Sequence, residues 1–271
     1  MSDDPPPIRD AATLILLRPA PNGAFEILLL RRDSGHEFMA DAWVFPGGAL
    51  DDGDRHDQAD PFRLAAIRET YEESGLLLAR PFQSDAYLRA PQMPDPHWRQ
   101  RLYSGEATLM DLVADHHLSL ALDALWPMAH WITPPFESRR YDTHFFVARA
   151  PTDQRDAFDP HEMSDSAWWS PTDAIDRYRD QSIRLAPPTL RILERLRPFD
   201  AIDDALAHLS SLPTPPSISP VLFEKAPHPT LLLPGDPLHP ADATADDMPQ
   251  CVTRMILRDG QWYSEPSPGP E

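Results

Sequence analysis

The chain lacks most of what would place it outside the cell or on a long polyanion. It has one cysteine, Cys251, among 271 residues, so no intrachain disulfide can form, and that suits a reducing compartment. Its longest apolar runs, such as Leu14–Leu17 and Ile27–Leu30, fall far short of the roughly 20 residues that a spanning helix needs. The N-terminus, MSDDPPPIRD, has no apolar core and does not read as a secretory signal. Basic residues are outnumbered, with 24 Lys and Arg against 43 Asp and Glu, for a net charge of −19. Such a surface repels a polyphosphate backbone, which leaves room for a small basic pocket but not for a long nucleic-acid partner. There is no internal repeat and no helix-turn-helix pattern. A cytoplasmic protein with no membrane partner is expected.

What is present is an ordinary globular composition, 41% hydrophobic and 25% charged, with 33 prolines. The prolines are spread through the connections and accumulate toward the C-terminus. Residues 1–10 read as a disordered arm. Ala11–Arg18 and Phe25–Arg32 read as strands separated by a Pro-Asn-Gly turn, and Trp43–Phe45 as a short third strand. A polar stretch from Asp51 leads to Asp60-Pro61, a good N-cap followed by a residue tolerated at the first helical position. The helix runs to about Ser74, and Gly75 fits the left-handed residue that ends it. Trp98–Leu102 and Glu106–His117 are weaker helix candidates. Met128–Thr133, Tyr141–Ala148 and the Trp168-Trp169 region read as strands. Helices follow from Ser170-Pro171, over Pro188–Arg197 and over Ile202–Leu209. Beyond a Pro/Ser linker at Ser211–Pro220, His228–Leu233 and Val252–Tyr263 are apolar, and Asp259-Gly260 makes a two-residue hairpin turn. The alternation indicates an α/β or α+β fold with a mixed sheet. It divides into a core domain over 11–210 with an insertion at about 83–125 that shapes the substrate pocket, and a Pro-rich extension over 211–271 packed on the core or on a partner subunit.

The informative segment is PFRLAAIRETYEES, residues 61–74. At about 100° per residue, Leu64, Ile67 and Tyr71 share one face, while Glu69, Glu72 and Glu73 gather on roughly the opposite one. A solvated helix surface would explain carboxylates. Such surfaces usually mix signs, however, and like charges at i,i+4 cost about 0.2–0.5 kcal/mol per pair. Only Arg68 lies near enough to offset these three, and two of them sit toward the helix end that disfavours anions. A hard divalent cation with oxygen ligands would neutralise them. Gly47 and Gly48 precede the helix by a loop, and glycines there let backbone approach a metal or phosphate closely.

Taken together, Gly48-Ala-Leu-Asp-Asp-Gly-Asp54 and Arg68-Glu69-Thr70-Tyr71-Glu72-Glu73-Ser74-Gly75-Leu76 resemble the Nudix box. The match departs from the family pattern in three ways. The acid after the glycine is Asp54 rather than Glu. Thirteen residues rather than seven separate it from Arg68, so that counting back seven lands on Asp60 instead. Thr70 stands where an aliphatic is usual. The resemblance implies an α/β/α sandwich and attack of metal-activated water on a diphosphate phosphorus, with Mg²⁺ or Mn²⁺ as cofactor. It implies Glu72 and Glu73 as ligands, Glu69 as a further ligand, the Gly47 carbonyl in the inner shell, and Arg68 as a brace for the loop. An additional glutamate often precedes a late-strand tryptophan in this family. Glu162, six residues before Trp168, has that placement and is a candidate ligand or general base; an exposed loop acid is the alternative.

Shorter islands, Phe45-Pro-Gly-Gly-Ala-Leu, Trp131-Ile-Thr-Pro, Arg139-Arg140-Tyr-Asp-Thr-His-Phe-Phe146 and Leu233-Pro-Gly-Asp236, resemble the Nudix branch typified by the coenzyme A and acyl-CoA diphosphatases of mammalian peroxisomes. A small nucleoside-diphosphate derivative of CoA type is the substrate that likeness implies. The ending, Pro-Gly-Pro-Glu, is not a peroxisomal Ser-Lys-Leu. Arg31, Arg32, Arg139 and Arg140 are candidate phosphate partners, since the guanidinium fork suits phosphate oxygens; surface charge is the plainer reading for Arg31 and Arg32. Trp43, Phe136 and Trp169 could stack a base, although core packing explains any single aromatic as well. The eleven histidines show no metal-ligand spacing, and Cys251 has no identified base beside it. Other readings are a catalytically silent nucleotide sensor, a hydrolase of ADP-ribose, NADH or dinucleotides, an isomerase, which would need an active-site cysteine, and an RNA decapping enzyme, which the charge disfavours. Relatives of this kind often form homodimers.

Overall fold

The computed structural model describes residues 5–21, 23–33, 35, 39–57, 59–241 and 252–267. β1 (Ile8–Pro19), β2 (Phe25–Arg32) and β3 (Ala42–Val44) pair antiparallel in sequence order, and β4 (Gly47–Ala49) folds back onto the first half of β1. α1 (Pro61–Ser74) follows, then β5 (Ala79–Pro81), α2 (His97–Tyr103), α3 (Leu109–Asp115) and β6 (Leu118–Leu120), which pairs with β5. β7 (Trp126–Ile132) and β8 (Arg140–Arg149) are antiparallel to each other, and β8 runs parallel to β1, which makes the sheet mixed. β9 (Met163–Trp169) pairs with β2. After α4 (Pro171–Arg179) comes β10 (Arg184–Leu185), parallel to β3, then α5 (Pro187–Leu196), α6 (Ile202–Ser211) and β11 (Ser217–Ile218), parallel to β7. β12 (Val221–Leu222), β13 (Thr230–Leu232), β14 (Arg254–Arg258) and β15 (Gln261–Glu265) make a separate antiparallel sheet.

The apolar runs explain the layering. Successive side chains on a strand alternate in direction, so a strand without polar interruptions must be covered on both faces. Leu14, Leu16, Leu28 and Leu30 enter one core with Ile67 and Tyr71 of α1 and with Leu102 and Leu112 of the 83–125 segment. Ile15, Leu17, Ile27 and Leu29 enter the other with Leu190 and Leu193 of α5, Leu209 of α6, and Leu231 and Met255 of the C-terminal sheet. Each such leucine or isoleucine, fully buried, contributes about 1.5–3 kcal/mol. The result is the expected sandwich of helices on a mixed sheet. Among the described residues no helix is long and apolar enough to cross a membrane.

One expectation needs correction. The N-terminal arm is shorter than ten residues, because Ile8, Arg9 and Asp10 pair in register with Arg140, Tyr141 and Asp142; residues 1–4 lie outside the described set, as does Cys251. Most of the extension, for its part, is folded. Buried Asp236 accepts from the Arg254 guanidinium at 2.7 Å and from the Thr253 hydroxyl at 3.0 Å, which closes the C-terminal sheet. Arg179 and Arg191 then tie it to α4 and α5 through the carbonyls of Trp262 (2.7 Å) and Val252 (2.8 Å). The Asp259-Gly260 turn joins β14 and β15 with both residues at positive φ, 49° and 79°, the conformation a tight hairpin asks for.

Candidate active site

α1 starts and stops where its sequence says. Asp60 caps the first turn by accepting from the Phe62 amide at 3.0 Å, and Gly75 ends the helix in the left-handed region, its amide bonded to the Tyr71 carbonyl at 2.9 Å. Leu64, Ile67 and Tyr71 are buried, Ile67 and Tyr71 in the core shared with the sheet. The glutamates on the other side do not face water. Glu73 is 3% exposed and Glu72 8%, so a solvated surface does not account for them.

The turn at β4 covers them. The Gly47 amide donates to Glu73 Oε2 at 2.8 Å. A Cβ on residue 48 would lie 2.6 Å from the Glu69 carboxylate, so a larger residue there would displace that carboxylate from the turn. Arg68 braces the arrangement. It donates to the Ala49 carbonyl (2.9 Å), Glu69 (2.9 Å) and Glu72 (3.2 Å), and forks onto Asp54 at 2.8 and 3.0 Å. Asp54 is 2% exposed and sits on a short 3₁₀ turn, Asp52–Asp54. The six extra residues therefore loop out between Asp54 and α1, and Asp54 pairs with Arg68. Asp60, the acid at the usual spacing, is spent on capping the helix.

Burial in this pocket disfavours charge on the carboxylates. It pushes Glu69 up to about 7, against the pull of Arg68 and with help from Glu162. It pushes Glu72 up to about 8, again opposed by Arg68 and reinforced by Glu69. Glu73 rises well above the usual carboxylate range, through burial and then Glu69, with the Gly47 amide and Arg32 working the other way. Arg68 is held charged: burial alone would lower it, but Glu69, Asp54 and Glu72 more than offset that. Glu72 Oε1 is buried without a hydrogen-bond partner. A buried oxygen with no donor, among acids whose charge is unfavourable, fits a divalent cation with oxygen ligands.

The remaining candidates divide. Glu162, just before β9, lies close enough to Glu69 and Glu73 to raise both, and its charge also raises the Tyr103 hydroxyl at the end of α2. On the far side of Gly47-Gly48 a largely apolar cleft of about 520 Å³ opens, lined in part by Arg32, Phe136, Thr143, Leu231, Leu257 and Trp262. Arg32 and Phe136 are thus among the cleft residues, and Phe136 is 52% exposed. Five other candidates, Trp169 among them, do not line the cleft. Arg31 pairs with Asp41 at 2.8 Å. Arg140 holds backbone, donating to the Thr133 carbonyl at 3.1 Å. Arg139 is exposed away from the cleft. Trp43 is 6% exposed and packs on Trp169 with ring centroids 4.5 Å apart, which makes it a core residue.

Sequence reasoning missed Arg99, which donates to the Glu72 carbonyl at 2.7 Å and so steadies the C-terminal end of α1. It also missed Tyr103 and the cleft residues of the C-terminal sheet. The 83–125 segment supports α1 and Glu162, and none of its residues lines the cleft. The signal for these residues lies in contacts between distant segments, which a motif does not encode.

A mixed sheet between helical layers, with converging glutamates on a helix behind a Gly-Gly turn, defines a metal-dependent phosphoanhydride hydrolase of the Nudix class. The profile of the NUDT19 Nudix domain matches residues 57–196, and the chain belongs to that family of pyrophosphohydrolases. The matched segment holds α1 and Glu162 but begins after Asp54. Among curated relatives, "acyl-coenzyme A diphosphatase NUDT19" of Xenopus laevis is 27% identical over 80% of this chain and 72% of its own length. Its counterpart in Gallus gallus is 29% identical over 86% and 80%. The crystal structure of a Nudix hydrolase from Alicyclobacillus acidocaldarius superposes with a TM-score of 0.68 at 26% identity, covering 78% of this chain and 99% of that one.

Proposed function

We propose that the chain hydrolyses the diphosphate of coenzyme A or an acyl-CoA, releasing adenosine 3′,5′-bisphosphate and the phosphopantetheine part. One observation carries this reading. The apolar cleft, of a size that ordinarily holds a small ligand, is lined in part by the glycine turn behind which the glutamates converge. A diphosphate at the turn puts an apolar arm, such as pantetheine or its thioester, along the cleft. The names of the curated relatives point the same way.

In this reading Glu69, Glu72, Glu73 and Glu162, with the Gly47 carbonyl, hold Mg²⁺ or Mn²⁺. Such an ion neutralises charge developing on phosphate oxygens and lowers the pKa of an attacking water. Glu69 or Glu162 accepts the proton of that water. Arg32 meets a phosphate oxygen, and Phe136 packs on the apolar arm. Arg68, Asp54 and Arg99 touch no substrate and hold the carboxylates in place. The hydrolase domain begins with β1 and runs to about residue 210, and the segment after it contributes to the cleft wall. The single cysteine and the acidic surface suit a cytoplasmic setting.

The test is product release from a panel of CoA, acyl-CoA, NADH, ADP-ribose, dinucleoside polyphosphates and nucleoside triphosphates, with Mg²⁺ or Mn²⁺. Cleavage of CoA species, lost in Glu73→Gln, is the expected result. Preferential cleavage of ADP-ribose or NADH overturns the substrate assignment, and turnover of nothing on the panel moves the reading to a nucleotide sensor.

A further inference from the structure

Two histidines that share no motif spacing meet on the sheet. His130 on β7 and His144 on β8 are direct cross-strand partners, and Asp142 precedes His144 by two residues on the same strand and face. The two imidazole rings stack with centroids 4.1 Å apart and planes 29° apart. Both Nε2 atoms converge on one oxygen: His130 Nε2 bonds Asp142 Oδ1, and His144 Nε2 lies 3.8 Å from that same oxygen. One ligand atom from each residue falls within 4.8 Å of the others. All three side chains are half-buried.

The site is separate from the hydrolytic one. Its residues alternate along β8 with Tyr141, Thr143 and Phe145, which line the cleft on the opposite face of the sheet. Phe62, in the first turn of α1, stacks on His144 at 3.9 Å, so the His144 ring lies between Phe62 and His130 and its direction is fixed by packing. Negative charge gathers here. Asp10 lies in register beside Asp142 on β1, and Asp60 caps the helix above. Like charges side by side on neighbouring strands cost stability unless a cation compensates; among the described residues Asp10 pairs with exposed Arg55 at 3.0 Å and Asp60 with Arg63 at 3.4 Å.

We propose that His130, Asp142 and His144 bind a zinc ion, distinct in position and chemistry from the cation of the glutamate cluster. Two imidazole nitrogens and one carboxylate oxygen suit zinc and its first-row neighbours, whereas an all-oxygen set suits Mg²⁺ and Mn²⁺. With bonds of about 2.1 Å to each ligand, tetrahedral zinc sets the ligand atoms roughly 3.4 Å apart. The present spacing reaches that with small side-chain adjustments. Three protein ligands on a half-buried face leave the fourth position to water. The ion ties β7 to β8 beneath the first turn of α1, through Phe62, and so steadies the helix whose far end carries the glutamates.

The test titrates the full chain, stripped with EDTA and dialysed, with Zn²⁺ in millimolar Mg²⁺. Calorimetry gives the stoichiometry, and Co²⁺ absorption reports the geometry. Wild type and Glu72→Gln/Glu73→Gln should each take one equivalent of Zn²⁺ and show visible Co²⁺ bands of tetrahedral strength. His144→Asn and the near-isosteric Asp142→Asn should each bind at least about tenfold more weakly, and zinc should raise the melting temperature of wild type alone among these three. Equal zinc binding by wild type and both substituted proteins overturns the proposal. So does loss of the equivalent in the glutamine double variant, which would put the zinc on the glutamates, and so does no binding to wild type at all.

Discussion

The two ends of the cleft are made of opposite materials. At the Gly47-Gly48 end, charge is buried: Glu72, Glu73, Asp54 and Arg68 are nearly inaccessible, and all lie within one short stretch of chain. At the other end the walls are apolar and come from residues far apart in sequence, Phe136 from the loop before β8 and Leu231, Leu257 and Trp262 from the C-terminal sheet. The reacting end needs fixed charges at fixed spacings, which one helix and one turn can supply. The recognising end needs shape and apolar area, which any set of elements can supply. Nudix chemistry is therefore written locally, and choice of substrate is written in the tertiary fold.

The largest test of the buried-charge end is Arg68→Ala. It leaves Asp54 and two glutamates without their cation, and breaking a buried ion pair from one side costs about 3–5 kcal/mol. Urea unfolding should show a loss of that order, and hydrolysis should vanish with it. A loss under 1 kcal/mol would mean that Arg68 braces nothing. Next is Glu73→Gln, which keeps an oxygen to accept from the Gly47 amide while removing the charge. Its kcat should fall on the order of 10²–10³-fold, with no loss of stability in metal-free solution. Full activity would remove Glu73 from the proposed ligand set.

The metal-free protein should respond to pH in an unusual direction. Glu69 and Glu72 are raised from the free value of 4.5 to about 7 and about 8. Between about pH 4.5 and 8 the folded chain holds protons that the unfolded chain has released. The stabilisation these groups give is complete below 4.5 and is lost as pH rises through 7 and 8, at up to about 1.4 kcal/mol per pH unit for each group. Melting in EDTA should therefore weaken across pH 5–8 by more in wild type than in Glu69→Gln/Glu72→Gln, and saturating Mg²⁺ should flatten the slope. Equal slopes in the two proteins would show that burial does not perturb the pair.

The same contrast explains what could be read from the chain. α1 was legible to the residue because its signals are local: an Asp-Pro start, a Gly stop, and apolar and acidic faces at helical spacing. Its glutamates stood out because their charge has no local compensation. Asp54 was ambiguous with Asp60, because the loop length between box and helix carries no rule about which acid turns inward. The hairpin of the C-terminal sheet was legible from Asp259-Gly260, but the sheet as a whole read as an extension because β12 and β13 are only two and three residues long and only pairing joins them to the hairpin. His130 and His144 are invisible as a pair for a related reason, since cross-strand register joins them across fourteen positions of chain. Trp43 and Arg140 were misplaced because an aromatic or a guanidinium looks the same in sequence whether it faces a ligand, a core or a carbonyl.

The smallest effect probes the apolar end. Phe136 is 52% exposed and lines the cleft, so truncating it leaves no core cavity and should not alter folding. A ring that is partly exposed before binding and covered by an apolar ligand is worth about 1 kcal/mol, or roughly a fivefold change in affinity. Phe136→Ala should raise KM by that factor for a long-chain acyl-CoA, leave kcat unchanged, and matter less for free CoA, whose arm is shorter and more polar. The reason for the split is chemical. Phe136 offers only apolar surface, so it contributes equally to binding the ground state and the transition state, and such uniform binding shows in KM alone. If kcat falls instead, the ring positions the diphosphate, and the division between a charged reacting end and an apolar recognising end is wrong. If free CoA and acyl-CoA are weakened alike, the ring contacts the nucleotide, and the acyl arm lies elsewhere along the cleft.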